Sequence, residues 1–171
     1  MAIITGAASG MGKAIAEGYA KEDAQVVVSD LNLNGVKAGV EAIAVQANVA
    51  SEKDLEQLLS ETKKAFGNLD ILVNNAGIMN GMEYVGGLYG IRADATYTTS
   101  KHTVVCLTKN TTFMYANKNI RCNGTAPGAV ITNISSTMTN LSEFGASRQA
   151  LGNKMNSRAR QPGEVTKLAI F

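Results

Sequence analysis

Apolar residues fall in short dense runs along the chain. Ala2-Ile3-Ile4 leads into Thr5-Gly6, and Val26-Val27-Val28 ends in Ser29-Asp30. Ala42-Ile43-Ala44-Val45 and Ile71-Leu72-Val73 follow. Apolar runs without alternation suit strands buried on both faces, as in a parallel sheet. They predict strands at residues 1–5, 24–29, 42–46 and 69–74, and Asn119-Ile120-Arg121-Cys122-Asn123 predicts another. Between the runs the period becomes helical. Met11, Ile15 and Tyr19 share one side of a helix that opens at Ser9 or Gly10 and runs to Lys21. Leu55, Leu58, Leu59 and Thr62 form the inner stripe of a second helix, capped by Ser51 with Asp54 in a box-like pattern and ending near Phe66-Gly67. Tyr97, Lys101, Val104, Val105 and Thr108 share a face of a long helix over 95–117, and Pro162 marks a last helix start. Residues 34–41 leave room for only two helical turns, a short crossover. Residues 78–94 carry Gly81, Gly86, Gly87 and Gly90 with no clean period and read as loop. Residues 132–150 are polar, with mixed signals. The alternation predicts an α/β domain with a parallel sheet and flanking helices, one domain over 1–171. The expected strand order is near 3-2-1-4, followed by the strand at 120–124.

Composition narrows the function classes. A net charge of +2 with no Lys/Arg-rich run gives no argument for a nucleic-acid partner. Cys106 and Cys122 have neither metal spacing nor the density of a disulfide scaffold, so no metal is expected and a reducing, cytoplasmic setting is the default. No apolar run reaches membrane-spanning length, and the first residues fit a strand better than a signal peptide.

Chemistry enters at Thr5-Gly6-Ala7-Ala8-Ser9-Gly10-Met11-Gly12. Gly6, Gly10 and Gly12 follow a strand and open a helix, a turn that lets the backbone approach a phosphate and turns the first helical N–H groups toward it. Asp30 ends the second strand 18 residues beyond Gly12. That is the expected place for a carboxylate accepting bonds from the ribose hydroxyls of a dinucleotide. A second signal is Tyr97-Thr98-Thr99-Ser100-Lys101. Residues four apart lie one above the other on a helix, and an ammonium beside a phenol lowers the phenol pKa, suiting it to proton transfer. Alone, the pair reads as a packed tyrosine and a solvated lysine; beside a dinucleotide turn, the catalytic reading prevails. His102 points elsewhere on the helix and reads as surface or packing, Cys122 as core. Met79 and Met82 are candidates for lining a pocket.

These motifs, with Asn74-Asn75-Ala76-Gly77 and Pro127-Gly128-Ala129-Val130-Ile131-Thr132, resemble in type and order those of the classical short-chain dehydrogenase/reductase family. The resemblance implies a Rossmann-like fold and reversible oxidation of a secondary alcohol to a ketone. NAD is its implied cofactor, because Asp30 would repel a 2′-phosphate. Implied cofactor residues are Gly6, Ser9, Gly10, Met11, Gly12, Asp30, Asn48, Val49, Asn75, Ala76, Gly77, Tyr97, Lys101, Pro127, Gly128, Val130 and Thr132. Asn74 would help fix the adenosine side and the sheet edge. Tyr97 would be the acid/base, with Lys101 also holding the nicotinamide ribose and Thr132 the carboxamide. Asn48 stands where the family usually has an aspartate near the adenine. Tyr84 stands where it has a substrate-orienting serine, and a central strand-helix segment and the last strand are missing. Weak turnover is therefore expected, with a vestigial dinucleotide-binding protein as the alternative. The implied partner is a small alcohol or ketone, its pocket drawn from 79–91 and 131–151, with a homo-oligomer possible although the usual dimer helix is partly missing.

Overall fold

A computed structural model of the chain describes residues 1–34, 36, 42–78, 95–134, 147 and 159–170. Four strands form a parallel sheet: β1 (Ala2–Thr5), β2 (Val26–Asp30), β3 (Ala42–Gln46) and β4 (Ile71–Val73), in the order β3-β2-β1-β4. The described residues include helices α1 (Gly10–Lys21), α2 (Glu52–Phe66), α3 (Ala95–Tyr115), extended by a 3-10 turn at Ala116–Lys118, and α4 (Pro162–Ala169). Register aligns Ile3 with Val27 and Leu72, and Val27 with Ile43. The described residues fall in two compact units. One lies within Met1–Gly77, Ile131–Asn133 and Gln161–Phe171, the other within Ile78–Val130 and Ile134–Arg160.

In the first unit the strand alternation divides the core into two layers. Ala2, Ile4, Val26 and Val28 point to one face and pack on Ile15, Ala16 and Tyr19 of α1, with Ala169 and Ile170 beside them. Ile3, Val27 and Val45 point to the other face and pack with Leu58 of α2. The unbroken valine run is therefore buried twice over, as its pattern predicts. α1 and α4 cross closely: a Cβ on Gly18 would fall on the Thr166 methyl, and the Tyr19 hydroxyl donates to the Ala169 carbonyl at 2.6 Å. α2 starts as its sequence predicts, with Ser51 Oγ accepting from the Asp54 N–H at 3.3 Å. α4 begins with Pro162 in its first turn and a reciprocal Gln161–Glu164 capping box.

Several expectations are corrected. Residues 120–124 form no strand. Ile120 is exposed, Cys122 is only half-buried, and Thr112 Oγ1 donates to the Cys122 carbonyl at 2.7 Å, so a side chain takes the acceptor that a ladder would use. Leu59 is 48 % exposed, because the α2 stripe narrows to Leu58 and Thr62 where only one sheet face lies beneath it. Val104 is exposed as well, and the inward side of α3 runs through Tyr97, Lys101, Val105 and Thr108. β4 spans three residues rather than the expected six and pairs, among the described residues, with β1 alone. The expected helix at 34–41 and loop at 78–94 lie almost wholly outside the described residues, as does most of 132–150.

Candidate functional site

The glycine turn is held by a cross-brace at the ends of β1 and β4. Thr5 Oγ1 accepts from the N–H groups of Asn75 and Ala76, both at 3.1 Å, and donates to the Val73 carbonyl at 3.3 Å. The Asn75 side-chain amide donates to the carbonyls of Thr5 at 2.9 Å and Gly6 at 3.1 Å. Two glycines are required by this closeness. Gly6 has φ +63, and a Cβ there would stand 2.7 Å from Ala76 Cα. A Cβ on Gly12 would fall on the Gly6 carbonyl oxygen and the Asn75 amide nitrogen. Sequence reasoning places Thr5 at the head of the turn motif but gives its hydroxyl no role. The signal for one is a hydroxyl at the last position of an otherwise apolar strand, where a strand end meets a turn and backbone groups lack ladder partners.

Beyond the brace, Ser9 is the N-cap of α1 but makes no side-chain capping bond, so its hydroxyl leaves the first helical N–H groups to a ligand. Asp30 lies beside the turn: Oδ2 accepts from the Ala8 N–H at 3.0 Å and Oδ1 from the Asn32 N–H at 3.2 Å. Thr132 also comes to the turn, its Cβ 3.4 Å from the place a Cβ on Gly10 would occupy. Next to Asp30, across the β2–β3 pair, Asn48 Oδ1 accepts from the Ala50 N–H at 3.0 Å and the Asn48 N–H donates to Asp54 Oδ2 at 2.9 Å. An uncapped helix start, close backbone and a fixed carboxylate on neighbouring strand ends fit a dinucleotide. Among the described residues no group of His, Cys, Asp and Glu could hold a metal, and no helix is long and apolar enough to cross a membrane.

In the second unit, Tyr97 and Lys101 lie one turn apart on α3, with Lys101 Nζ over the tyrosine ring, 5.3 Å from its centroid. The phenol pKa is raised, not lowered as the pair predicts, because burial opposes the charged phenolate. His102 is exposed, with Nδ1 2.8 Å from the Thr98 carbonyl. In the same unit, Gly128 has φ +74 and Val130 forms an isolated parallel bridge with Arg160. The structure thus groups Gly6, Ser9, Gly10, Met11, Gly12, Asp30, Asn48, Val49, Asn75, Ala76, Gly77 and Thr132 in one unit and Tyr97, Lys101, Pro127, Gly128 and Val130 in the other. Tyr84, Met79 and Met82 lie outside the described residues.

Two family models match. Residues 1–86 match the short chain dehydrogenase model, and residues 81–171 match that of Enoyl-(Acyl carrier protein) reductase. The 3beta-hydroxysteroid dehydrogenase 2 of Eggerthella lenta is 31% identical, over 99% of this chain and 86% of the relative. The chain belongs to the short-chain dehydrogenase/reductase family. That relative aligns over 223 residues against the 171 of this short-chain dehydrogenase/reductase, so it carries internal segments that this chain lacks. The 7alpha-hydroxysteroid dehydrogenase of Escherichia coli is 30% identical, over 99% of the chain and 85% of the relative. Among solved structures, the 3-ketoacyl-(acyl-carrier-protein) reductase of Brucella melitensis complexed with NADH superposes with a TM-score of 0.82 at 25% identity, over 99% of this chain and 88% of that one. The fold is Rossmann-like, and the family is one of oxidoreductases using a nicotinamide dinucleotide.

Proposed function

We propose that this chain binds NAD(H) in preference to NADP(H) and interconverts a secondary alcohol and a ketone slowly. The observation that carries the reading is Asp30, held beside the glycine turn by the Ala8 N–H. Its carboxylate accepts from ribose hydroxyls and repels a 2′-phosphate, and neither sequence neighbour is a cation that would offset it. The N-terminal N–H groups of α1 receive the pyrophosphate, with Ser9, Gly10 and Met11 around it. Val49 and Asn48 take the base, and Asn75, Ala76, Gly77 and Thr132 of the same unit hold the remainder of the cofactor that this unit meets. When bound, the dinucleotide supplies hydride transfer at its nicotinamide ring. Tyr97 gives a proton to, or takes one from, the substrate oxygen, and Lys101 keeps positive charge beside that phenol.

Two relatives are named for hydroxysteroid chemistry, which supports a secondary hydroxyl or ketone as the reacting group. Tyr84 in place of the serine removes the short donor that would orient this oxygen, a loss of about 10²–10³ in rate. The second reading, a dinucleotide-binding protein without turnover, is favoured by the same replacement and by the raised Tyr97 pKa. Both cysteines are free thiols, consistent with a reducing, cytoplasmic setting.

Titration calorimetry with NADH and NADPH tests the binding claim. Tighter NADH is expected; tighter NADPH would remove the Asp30 argument, and no binding by either would remove the reading. A panel of secondary alcohols and ketones followed by NADH absorbance, for the native chain and Tyr97→Phe, tests the chemistry. Slow turnover abolished by the substitution is expected; no turnover with NADH bound leaves the second reading.

A further inference from the structure

The dinucleotide reading above assigns one end of the cofactor to a row of strand ends, and Asn48 gives that end an unusual chemistry. Thr5 is in register with Ser29, and Asp30 with Gln46, so the ends of β1, β2 and β3 stand side by side. With the pyrophosphate at the β1–α1 turn and a ribose at Asp30, the base falls over the end of β3. Two apolar side chains stand bare there, Leu31 at 57 % and Val49 at 43 % exposure, and Gln46 Nε2 ties their loops together by donating to the Leu31 carbonyl at 2.8 Å. Asn48, itself exposed, immediately precedes Val49.

The orientation of the Asn48 amide is set by its neighbours. A backbone N–H only donates, so the atom facing the Ala50 N–H at 3.0 Å is Oδ1, and Nδ2 is the outward group. The Asn48 main chain is also committed, its N–H to Asp54 Oδ2 and its carbonyl to the Ser51 N–H. A base edge that meets this side chain therefore meets N–H donors. Nδ2 donates equally well to N1 of adenine and to the 6-oxo oxygen of hypoxanthine, so either base finds one hydrogen bond there. We propose that Asn48 makes the site indifferent to the purine C6 substituent, so that the chain binds the hypoxanthine dinucleotide about as tightly as the adenine one.

Calorimetry of the native chain with NADH and with reduced nicotinamide hypoxanthine dinucleotide tests this, alongside Asn48→Asp. The variant keeps the local turn, since a carboxylate oxygen also accepts from the Ala50 N–H, and it places an acceptor at the base edge. The expected result is native dissociation constants within about threefold of each other and a preference for NADH of about tenfold in the variant, the size of one hydrogen bond. A native preference for NADH of about tenfold or more, or an unchanged ratio in a folded variant, overturns the inference alone while the dinucleotide reading stands. Binding of neither dinucleotide overturns both. The native comparison decides even where the variant does not fold.

Discussion

The Thr5 hydroxyl, together with the Asn75 amide, holds the glycine turn against the end of β4. Thr5 Oγ1 serves two N–H groups and one carbonyl from a buried position, so replacing it by valine keeps the shape and strands the N–H groups of Asn75 and Ala76. Thr5→Val is expected to cost about 2 kcal/mol in urea unfolding, and Thr5→Ser to recover most of it. Equal stability of all three would show that water replaces the bonds. Tyr97 gives a second expectation at this scale. Its folded pKa is raised by burial, so the phenolate that must accept a proton from an alcohol accumulates only above the ordinary tyrosine range. Alcohol oxidation should therefore climb through the alkaline region without a plateau near pH 8, and ketone reduction, which needs the neutral phenol, should hold steady there. A plateau below the ordinary tyrosine pKa would mean that substrate or cofactor binding reverses the effect of burial.

The elements of the sheet layer were readable from sequence because each carries its own local signal. The apolar runs at residues 2–4 and 26–28, the Ser51 cap and the proline at 162 each specify a strand or an end without help from distant residues. What sequence could not supply was the third dimension of each stripe. Leu59 and Val104 have the period of buried residues and lie exposed, because burial depends on what faces a helix, not on its spacing alone. The strand expected at 120–124 fails for a related reason: a β-rich run becomes a strand only beside another strand edge. The glycines, Asp30 and the Tyr97–Lys101 pair were legible as chemistry, while the Thr5 brace and the turn of Asn48 onto Ala50 depend on contacts between segments or within a loop. At the start of α2, Asp54 is held below its ordinary pKa by the Asn48 N–H and the Ser51 hydroxyl. Its folded pKa lies beneath the unfolded one, so its contribution is present above the unfolded value and fades as pH falls through the folded one. Melting of Asp54→Asn against the native chain should show a difference near neutral pH that closes in acid. A difference independent of pH would assign the effect to geometry, not charge.

Across the whole molecule, burial is unevenly shared. Among the described residues, the buried apolar side chains lie in the sheet unit, with Val130 the exception. α3 instead exposes Val104, Leu107 and Met114, and Phe113 is 82 % exposed. Local stability follows buried contact, so amides of β1 and β2 should exchange with solvent far more slowly than those of α3; uniform protection would indicate that α3 is covered in solution. The bond from Tyr19 to the Ala169 carbonyl has a further consequence, for the order of events in synthesis. It joins residues 150 positions apart, and α1 meets α4 along the same seam. A chain emerging from the ribosome exposes the outer side of α1 early and receives its cover only when residue 169 is free. Long-range closure of this kind is slow because loop entropy is spent before the contact forms. The glycine turn is thus synthesised well before the helix that packs against α1, 150 positions later in the chain.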